Sequence, residues 1–361
     1  METIPNFDHP DVAYRAYVGC RTTALRNARG RGIEVFDVSQ AGRWTHRWTV
    51  PAGDNPSYLL LDEQRSALHC VHGDGGEISS FNVDADGHLR ELGTQSTRGT
   101  NPVHLAMSAG KHWVVVANYA SGSVVSMPIQ EDGSLGPVAH LLELPRKAGP
   151  HRTQQRGAHP HQVVLDPSGQ WFLVPDKGAD GIHTIAINEA TGELRLVSTL
   201  EVAPGSGPRH LVFRADGVIA WVVLELSSQV LRARFDAASG RLEPLARTTT
   251  VPDCFTGENT GAGITLSRDE RHLLVSNRGH GSVVRYDISP TGGALSSPTW
   301  TRIQGAVPRF ISPLPDSDAL CVANEDADSI VCVAGPSLVE RLATTGSPVC
   351  VAFTHSSKGN P

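Results

Sequence analysis

Short apolar runs alternate along the chain with clusters of Gly, Pro, Asn, Asp and Ser, a pattern typical of many short β-strands joined by tight turns. One signal, a Pro followed three positions later by an aliphatic residue, recurs six times, and a degenerate copy (Gly-Ala-Gly-Ile) lies in the widest gap. The seven copies are residues 56–59, 102–105, 160–163, 208–211, 261–264, 308–311 and 348–351. Recurrence at a spacing of about 50 residues predicts a repeat architecture.

Each copy of this signal except the last is followed, about a dozen residues later, by a second apolar run of β-type residues. These runs are residues 68–71, 113–117, 171–174, 220–224, 273–275 and 320–323. A third strand then begins at a turn, as at residues 122–125 and 281–284, and a fourth follows a further turn, as at 132–135 and 191–194. Four short strands linked by turns predict one blade of a β-propeller.

The two ends of the chain carry complementary parts of one repeat. Residues 14–50 supply a second, third and fourth strand with no first strand before them, whereas residues 347–353 supply a first strand with nothing after it. An open β-solenoid would not leave two matching halves, and joining the termini removes the exposed sheet edges. The prediction is an all-β, seven-bladed propeller with four antiparallel strands per blade. It forms one domain over residues 1–361, with ordered repeats from about 14 to 353.

Polar residues gather at one end of the predicted blades. In antiparallel neighbours, the start of the first strand and the end of the second lie at the same end. The residues that follow the repeat Pro or Gly are Ser57, Val103, His161, Arg209, Ala262, Arg309 and Val349. The residues interpreted as ending the second strands are Gly19, His72, Asn118, Asp176, Glu225, Asn277 and Asn324. Turn preference explains Asn and Asp, but it does not explain Glu225, His161 or the arginines, which predict a functional channel mouth.

Composition and charge exclude several classes of protein. The 31 Lys and Arg residues against 37 Asp and Glu give a net charge of −6, which offers no basic field for nucleic acid or an acidic membrane. No stretch approaches the roughly 20 apolar residues of a membrane span. Residues 1–16 show no secretory signal, and the six cysteines are scattered without a Cys-x-x-Cys pair. Buried thiols and cytoplasmic residence are therefore predicted.

One segment is locally basic. Residues 145–158 lengthen the spacing before Pro160 and contain Arg146, Lys147, Arg152 and Arg156 but no acidic residue. Because this segment leads directly into His161, we expect it to cover the channel mouth and to add positive potential there. A solvated basic loop without a ligand is the alternative.

Six ordered motifs resemble a known family. They are His159-Pro160-His161, Pro175-Asp176, Gly207-Pro208-Arg209-His210, Leu224-Glu225-Leu226, Thr256-Gly257-Glu258-Asn259-Thr260 and Asn277-Arg278-Gly279-His280. Together they resemble the bacterial seven-bladed propeller lactonases of the 6-phosphogluconolactonase type, a family that includes the fungal 3-carboxy-cis,cis-muconate lactonizing enzymes. The resemblance covers roughly residues 14–353. Gly263 and the pair His72-Gly73 depart from the family pattern, which bears on substrate specificity more than on the fold.

The resemblance implies an enzyme that hydrolyses a phosphorylated sugar lactone, with 6-phospho-D-glucono-1,5-lactone as substrate and a place in the pentose phosphate pathway. The catalytic residues it implies are His161, Arg209, Glu225 and Arg278. The expected substrate-binding residues are Arg309, Asp176, His210, Glu258, Asn259, His280 and Arg156. Arginine forks suit a phosphate or carboxylate. Either Glu225 or His161 suits the acid–base role, and we favour Glu225 as the base with His161 as its partner.

Other chemistries have weaker support in the sequence. The chain has no phosphate-binding glycine loop, no Gly-x-Ser-x-Gly and no His-Glu-x-x-His. His69, His72 and His104 are the best candidates for a transition-metal site, but the support for such a site is weak. A hard cation near the axis would be repelled by the arginines. No metal and no cofactor are therefore predicted. The predicted partner is a small anionic lactone, with no nucleic acid or membrane. A carboxymuconate cycloisomerase and a non-catalytic binding platform remain alternatives.

Overall fold

The described residues fold into short antiparallel strands, with a 3-10 turn at Ala24–Arg26. The structure is a computed structural model that describes residues 12–303, 307–315, 317–335 and 338–355. The first fourteen strands are Val12–Cys20 (β1), Ile33–Ser39 (β2), Trp44–Val50 (β3), Pro56–Asp62 (β4), Ala67–His72 (β5), Glu77–Val83 (β6), Leu89–Ser96 (β7), Pro102–Met107 (β8), Trp113–Asn118 (β9), Ser123–Pro128 (β10), His140–Glu143 (β11), Val164–Leu165 (β12), Phe172–Asp176 (β13) and Gly181–Ile187 (β14). The next fourteen are Leu194–Glu201 (β15), Pro208–Phe213 (β16), Ile219–Leu224 (β17), Gln229–Asp236 (β18), Arg241–Thr249 (β19), Gly261–Leu266 (β20), His272–Asn277 (β21), Ser282–Ile288 (β22), Leu295–Arg302 (β23), Pro308–Pro313 (β24), Leu320–Asn324 (β25), Ser329–Ala334 (β26), Leu338–Thr344 (β27) and Pro348–His355 (β28). Among the described residues, no helix has the length and apolar character needed to cross a membrane.

These strands form seven four-stranded sheets around one axis. Six sheets consist of four consecutive strands, and the seventh has the order β28-β1-β2-β3, with Val18 of β1 opposite Val351 of β28. The first strands of neighbouring sheets contact each other, for example β28 with β4 and β20 with β24, as expected of the innermost strands of a ring. The predicted closed seven-bladed propeller is therefore confirmed, including the closure by the C-terminal strand.

The apolar runs become strands because they are buried on both faces between neighbouring blades. All residues of β13 and β17 are buried, whereas most of the outermost strand β19 is exposed. Side chains of adjacent sheets interlock, as where Val115 and Val124 pack with Phe172 and Ile185. A strand covered on both faces has a nearly continuous apolar sequence instead of an alternating one.

A β-bulge marks the start of every innermost strand. In the blade of β4, Pro56 pairs with His72 but Tyr58 pairs with Val71, so that Ser57 has no partner in the ladder. The same extra residue follows Pro102, Pro208, Pro308 and Pro348, and equivalent breaks lie after Pro160 and Gly261. A bulge re-aims a side chain. The residue after each repeat Pro is therefore a structurally distinct position in the blade.

The register corrects one predicted set of residues. Pro208 pairs with Leu224 and Pro348 pairs with Cys20, so the expectation that Glu225 and Gly19 end their strands like Asn277 is wrong. The prediction took the residue at the end of each apolar run as the end of the strand. The residue that lies opposite the repeat Pro is determined by backbone pairing, which does not always coincide with the end of the apolar run. The residues paired with the repeat Pro or Gly are Cys20, His72, Asn118, Asp176, Leu224, Asn277 and Asn324. The next residues along the chain are Arg21, Gly73, Tyr119, Lys177, Glu225, Arg278 and Glu325.

Candidate active site at the propeller axis

A narrow cavity of about 20 Å³ lies on the axis where the innermost strands begin. Six of its ten lining residues occupy the bulge position of six different blades: Ser57, Val103, His161, Arg209, Arg309 and Val349. The other four are Arg21, Tyr58, His210 and Phe310. The bulges thus direct side chains from six blades to one point, which brings together His161, Arg209, His210 and Arg309 as the sequence predicts.

Glu225 is the centre of a buried charge cluster next to this cavity. Its Oε1 lies 2.9 Å from Arg278 Nη2 and 3.2 Å from Lys177 Nζ, and its Oε2 lies 3.1 Å from Arg209 Nε. Burial acts to raise the pKa of the Glu225 carboxyl, but the three cations outweigh it and lower the pKa to about 2. Glu225 is therefore ionised at any physiological pH.

The arginines of this cluster are fixed by backbone carbonyl groups as well as by Glu225. Arg209 Nη1 donates a hydrogen bond of 2.7 Å to the Ala262 carbonyl, and Arg278 Nη2 lies 3.4 Å from the Gly261 carbonyl. Burial and the nearby guanidinium group of Arg309 lower the pKa of Arg209 to about 9. Both guanidinium groups are held in place before any ligand binds.

A second ionic cluster lies on the other side of the cavity. Glu325 is 3.5 Å from Arg309 Nη1 and 3.7 Å from Arg21 Nε. Arg21, which is 3% exposed, also contacts Asp74 at 3.5 Å, and Asp74 pairs with Arg26 at the rim. Burial first, and then the charge of Arg309, lower the pKa of Arg21 to about 10.

His161 is a buried and neutral imidazole beside these cations. Its Nδ1 is inaccessible to solvent and has no hydrogen-bond partner. The ring lies edge-on to Tyr119 at 5.5 Å and to His210 at 5.1 Å between centroids. Burial first, and then the charge of Arg209, lower the pKa of His161 well below its ordinary value. The same two causes lower the pKa of His210.

Two predicted substrate-binding residues hold the backbone instead. Asp176 is completely buried; its Oδ1 accepts hydrogen bonds from the backbone N–H groups of His159, Gly178 and Ala179, and its Oδ2 lies 3.3 Å from His183. Asn259 Oδ1 accepts from the backbone of Gly279 and His280, and its amide donates to Asn277 and Ser228. These contacts fix the turns that carry Lys177 and Arg278.

The other predicted binding residues lie farther from the cavity. Glu258 is exposed, and its carbonyl group packs against Gly279. His280 is buried against Phe255 with its Nδ1 2.7 Å from Ser282 Oγ. Arg156 is exposed, and its Nε donates to the Arg152 carbonyl. None of these three lines the axial cavity.

The segment 145–158 does contact the cluster, but through glutamines. Gln154 Oε1 accepts a 2.8 Å hydrogen bond from Lys177 Nζ, and the buried Gln155 donates to the Lys177 carbonyl. Arg146 and Lys147 pair with Glu143 and Glu201, which lie on outermost strands. The expectation that the basic side chains of this segment reach the channel mouth is not met for these two.

Three residues of the site are absent from the sequence-based prediction: Lys177, Arg21 and Glu325. All three occupy the position directly after the residue that pairs with the repeat Pro, as Glu225 and Arg278 also do. In six blades, this position lies seventeen residues beyond the repeat Pro or Gly. Counting from the Pro, instead of locating the end of the apolar run, would have found Lys177 and Glu325.

Within the described part of the chain, no three His, Cys, Asp or Glu side chains converge to hold a metal ion. The histidines with the best spacing have other partners: His69 Nδ1 contacts Ser80 Oγ, and His72 lies between the Asp54 carbonyl and Ser79 Oγ. A small ligand in the axial cavity would meet the guanidinium groups of arginines and the neutral imidazoles of His161 and His210.

The fold and this cluster define a seven-bladed β-propeller with a cationic axial site. The model of the lactonase seven-bladed β-propeller family matches residues 15–353. The chain belongs to this family, as its motifs indicate. The prediction that the protein is an enzyme that hydrolyses a lactone is therefore confirmed.

Similar proteins agree with this assignment over the whole chain. The 6-phosphogluconolactonase of Bacillus subtilis is 30% identical over 354 residues, which cover 95% of this chain and 99% of the relative. The periplasmic gluconolactonase of Pseudomonas aeruginosa superposes with a TM-score of 0.86 at 30% identity, covering 95% of this chain and 99% of that structure. A protein from Lactobacillus plantarum superposes with a TM-score of 0.87 at 29% identity, covering 95% and 100%.

Proposed function

We propose that this lactonase hydrolyses a phosphorylated sugar lactone, with 6-phospho-D-glucono-1,5-lactone as substrate and 6-phosphogluconate as product, a step of the pentose phosphate pathway. One observation carries the proposal: the cations around the axis outnumber their carboxylate partners. Arg21, Arg26, Lys177, Arg209, Arg278 and Arg309 contact three described carboxylates, Asp74, Glu225 and Glu325, which leaves three positive charges in excess. Buried cations that outnumber their counter-ions are unfavourable unless a further anion joins them.

The residues around Glu225 supply what ester hydrolysis requires. Water adds to the lactone carbonyl carbon while the His161 imidazole accepts one of its protons. The guanidinium group of Arg278 stabilises the oxyanion that forms. When the oxyanion collapses, the bond to the ring oxygen breaks and the imidazolium returns the proton to that oxygen. The products are a hydroxyl group and a carboxylic acid, which ionises.

His161, in this proposal, replaces Glu225 as the base. Three ion pairs engage both oxygens of the Glu225 carboxylate, so a proton could join it only in competition with these cations. His161, by contrast, is neutral and has an unpartnered Nδ1. Glu225 then serves to hold Lys177, Arg209 and Arg278 in position.

The test is the rate of lactone loss with purified protein, followed through the acid released, with His161→Asn as the decisive variant. We expect the wild type to exceed the buffer rate clearly and His161→Asn to lose 10²-fold or more in kcat, the usual contribution of a general base. His88→Asn is the matched control, since His88 is exposed and distant from the axis. Equal rates in wild type, variant and buffer would contradict the proposed function.

Guanidinium groups bind carboxylates as well as phosphates, so the same site also suits a carboxymuconate cycloisomerase. Loss of carboxymuconate absorbance without loss of the phosphorylated lactone would favour that second function. Binding of either anion without turnover would favour the non-catalytic platform.

The proposal includes cytoplasmic residence and a small-molecule partner. All six cysteines are free thiols, as expected in a reducing compartment. Cys20, Cys70, Cys321 and Cys350 are buried as predicted, whereas Cys254 is exposed and Cys332 is half-buried. The Pseudomonas aeruginosa relative is named as periplasmic, so fractionation of cells that express this chain is the direct measurement.

A further inference from the structure

We propose that the axial cavity is an anion subsite formed by Arg21, Arg209 and Arg309, which binds the phosphate group of the substrate and selects lactones that carry a phosphate monoester. This inference rests on the proposed function and adds to it the location of the anionic group and the basis of selectivity. Arg21, which the family resemblance did not suggest, is the third guanidinium of the subsite.

The carboxylates pair with the arginines that line the cavity but do not line it themselves. Glu225 pairs with Arg209, and Glu325 pairs with Arg21 and Arg309. The ten residues that line the cavity include these three arginines and no acidic residue. Two guanidinium groups that face a common space, each already paired on its outer side, form a cradle for an anion between them.

Arg21 has an unused donor in this cradle. It is 3% exposed, and its Nε donates no hydrogen bond, because the nearest Glu325 oxygen lies 3.7 Å away. A buried N–H without a partner costs free energy that a ligand oxygen would recover. Burial and then the charge of Arg309 lower the pKa of Arg209 to about 9, so a bound anion would relieve the repulsion between these two guanidinium groups.

The size of the cavity sets the orientation of the substrate. A volume of about 20 Å³ admits roughly one water-sized group. Phosphate oxygens can reach into it, but a sugar ring must stay outside the cavity. In 6-phosphogluconolactone several bonds separate the phosphate from the lactone carbonyl, so binding the phosphate between Arg209 and Arg309 leaves the carbonyl for Arg278 and His161.

The charge balance favours a phosphate monoester over a neutral lactone. Three positive charges are in excess around the axis, and a phosphate monoester carries between one and two negative charges near neutral pH. A neutral aldonolactone would leave all of the excess uncompensated. The effect of the subsite should therefore be visible as a higher kcat/KM for the phosphorylated form of a lactone than for its unphosphorylated form.

The test compares kcat/KM for 6-phosphogluconolactone and for glucono-1,5-lactone in wild type and Arg309→Gln. We expect kcat/KM for the phosphorylated lactone, divided by kcat/KM for the unphosphorylated lactone, to fall 10- to 100-fold in Arg309→Gln, mainly because KM for the phosphorylated lactone rises. The same ratio should fall less in Arg309→Lys. Arg247→Gln, on the exposed outermost strand β19, is the matched control and should keep the wild-type ratio. An unchanged ratio in Arg309→Gln would overturn the subsite.

Inorganic phosphate separates failure of the subsite from failure of the proposed function. We expect millimolar phosphate to raise the melting temperature of the wild type and to raise that of Arg309→Gln less, whether or not the protein turns over a lactone. Equal shifts in both proteins, or no shift in the wild type, would count against the subsite even if lactone hydrolysis is found.

Discussion

At the scale of single residues, Glu225 has more ion-pair partners than either of the other two carboxylates of the site, Asp74 and Glu325. Its two oxygens are within 3.2 Å of three cations, and both its side chain and that of Lys177 are only 6% exposed. A buried ion pair contributes little by itself, but removing one partner leaves an uncompensated charge in a medium of low polarity. The change in the free energy of unfolding caused by a substitution here therefore depends on how many cations remain unpaired.

Glu225→Gln should lower the free energy of unfolding by about 3–5 kcal/mol, because it leaves Lys177, Arg209 and Arg278 without their counter-ion. Adding Lys177→Met should restore part of that loss, because one unpaired buried cation disappears. Urea denaturation of the wild type, both single variants and the double variant provides the measurement as a double-mutant cycle. Glu243→Gln, in an exposed pair with Arg234, should change stability by less than about 0.5 kcal/mol. Strictly additive effects of the two buried substitutions would show that Lys177 is not coupled to Glu225.

The residue types of the site could be predicted from the sequence, but their partners could not. His161, Arg209 and Arg309 follow a repeat Pro, so a count along the chain places them on one face. Asp176 and Glu225 are both acidic and occupy adjacent positions of the repeat in their blades. Asp176 nevertheless accepts hydrogen bonds from backbone N–H groups, whereas Glu225 pairs with cations. That difference arises because Asp176 lies opposite the repeat Pro, whereas Glu225 lies one residue beyond the position opposite the repeat Pro, which composition does not reveal.

At the scale of elements, bulges and tight turns build the site from otherwise regular strands. Each innermost strand begins with a bulge, and the following strand ends exactly opposite the repeat Pro or Gly. The repeat signal predicts the strands well, because it reflects burial between blades. It does not predict the bulges, because these depend on which backbone groups pair.

Gly279 shows how a turn fixes a functional side chain. A Cβ atom at this position would lie 1.9 Å from the Glu258 carbonyl oxygen, so the turn after Arg278 packs directly on the Glu258–Asn259 backbone. Gly279→Ala must separate these segments and displace Arg278 from Glu225. We expect kcat/KM for the lactone to fall by about tenfold or more, since a shift of about 1 Å in a positioned group can cost 10²-fold.

Steady-state kinetics of Gly279→Ala, with circular dichroism to verify the fold, measure this effect. Gly157→Ala is the matched control, because a Cβ there would meet no atom within 4 Å. Wild-type kcat/KM in Gly279→Ala would show that Arg278 does not depend on this contact.

At the scale of the whole molecule, closure of the ring by pairing of the two chain ends brings residues of the site together. Arg21 directly follows β1, which pairs with β28, while Arg309 and Glu325 belong to the preceding blade. The anion cradle therefore spans the junction where the two ends of the chain meet. The sequence predicts this closure because half-repeats at both ends are visible without any knowledge of side-chain contacts.

Burial of neutral histidines makes this closed structure sensitive to acid. Burial lowers the pKa of His69 to about 4 and of His104 to about 3, and the pKa values of His72, His161, His210 and His280 are also lowered. An unfolded chain takes up protons at these positions as the pH falls below about 6.5, whereas the folded chain does not. Stability should therefore be complete above pH 7 and should decrease below about 6.5. Ionised Glu225, with its pKa lowered to about 2, adds a further loss below about pH 4.5.

Each histidine that stays neutral in the fold contributes a slope of about 1.4 kcal/mol per pH unit, in the range between its two pKa values. Urea denaturation between pH 7.5 and 5 should therefore show the free energy of unfolding falling steeply, and His69→Gln should reduce the slope by about one such increment. His69 suits this comparison because it is fully buried away from the axial cavity, with Ser80 as its hydrogen-bond partner. His88→Gln, at an exposed position, should leave the slope unchanged. A stability that is constant from pH 7.5 to 5 would mean that these imidazoles take up protons equally in the folded and unfolded chain, and with it His161 would lose the neutral state that its role as a base requires.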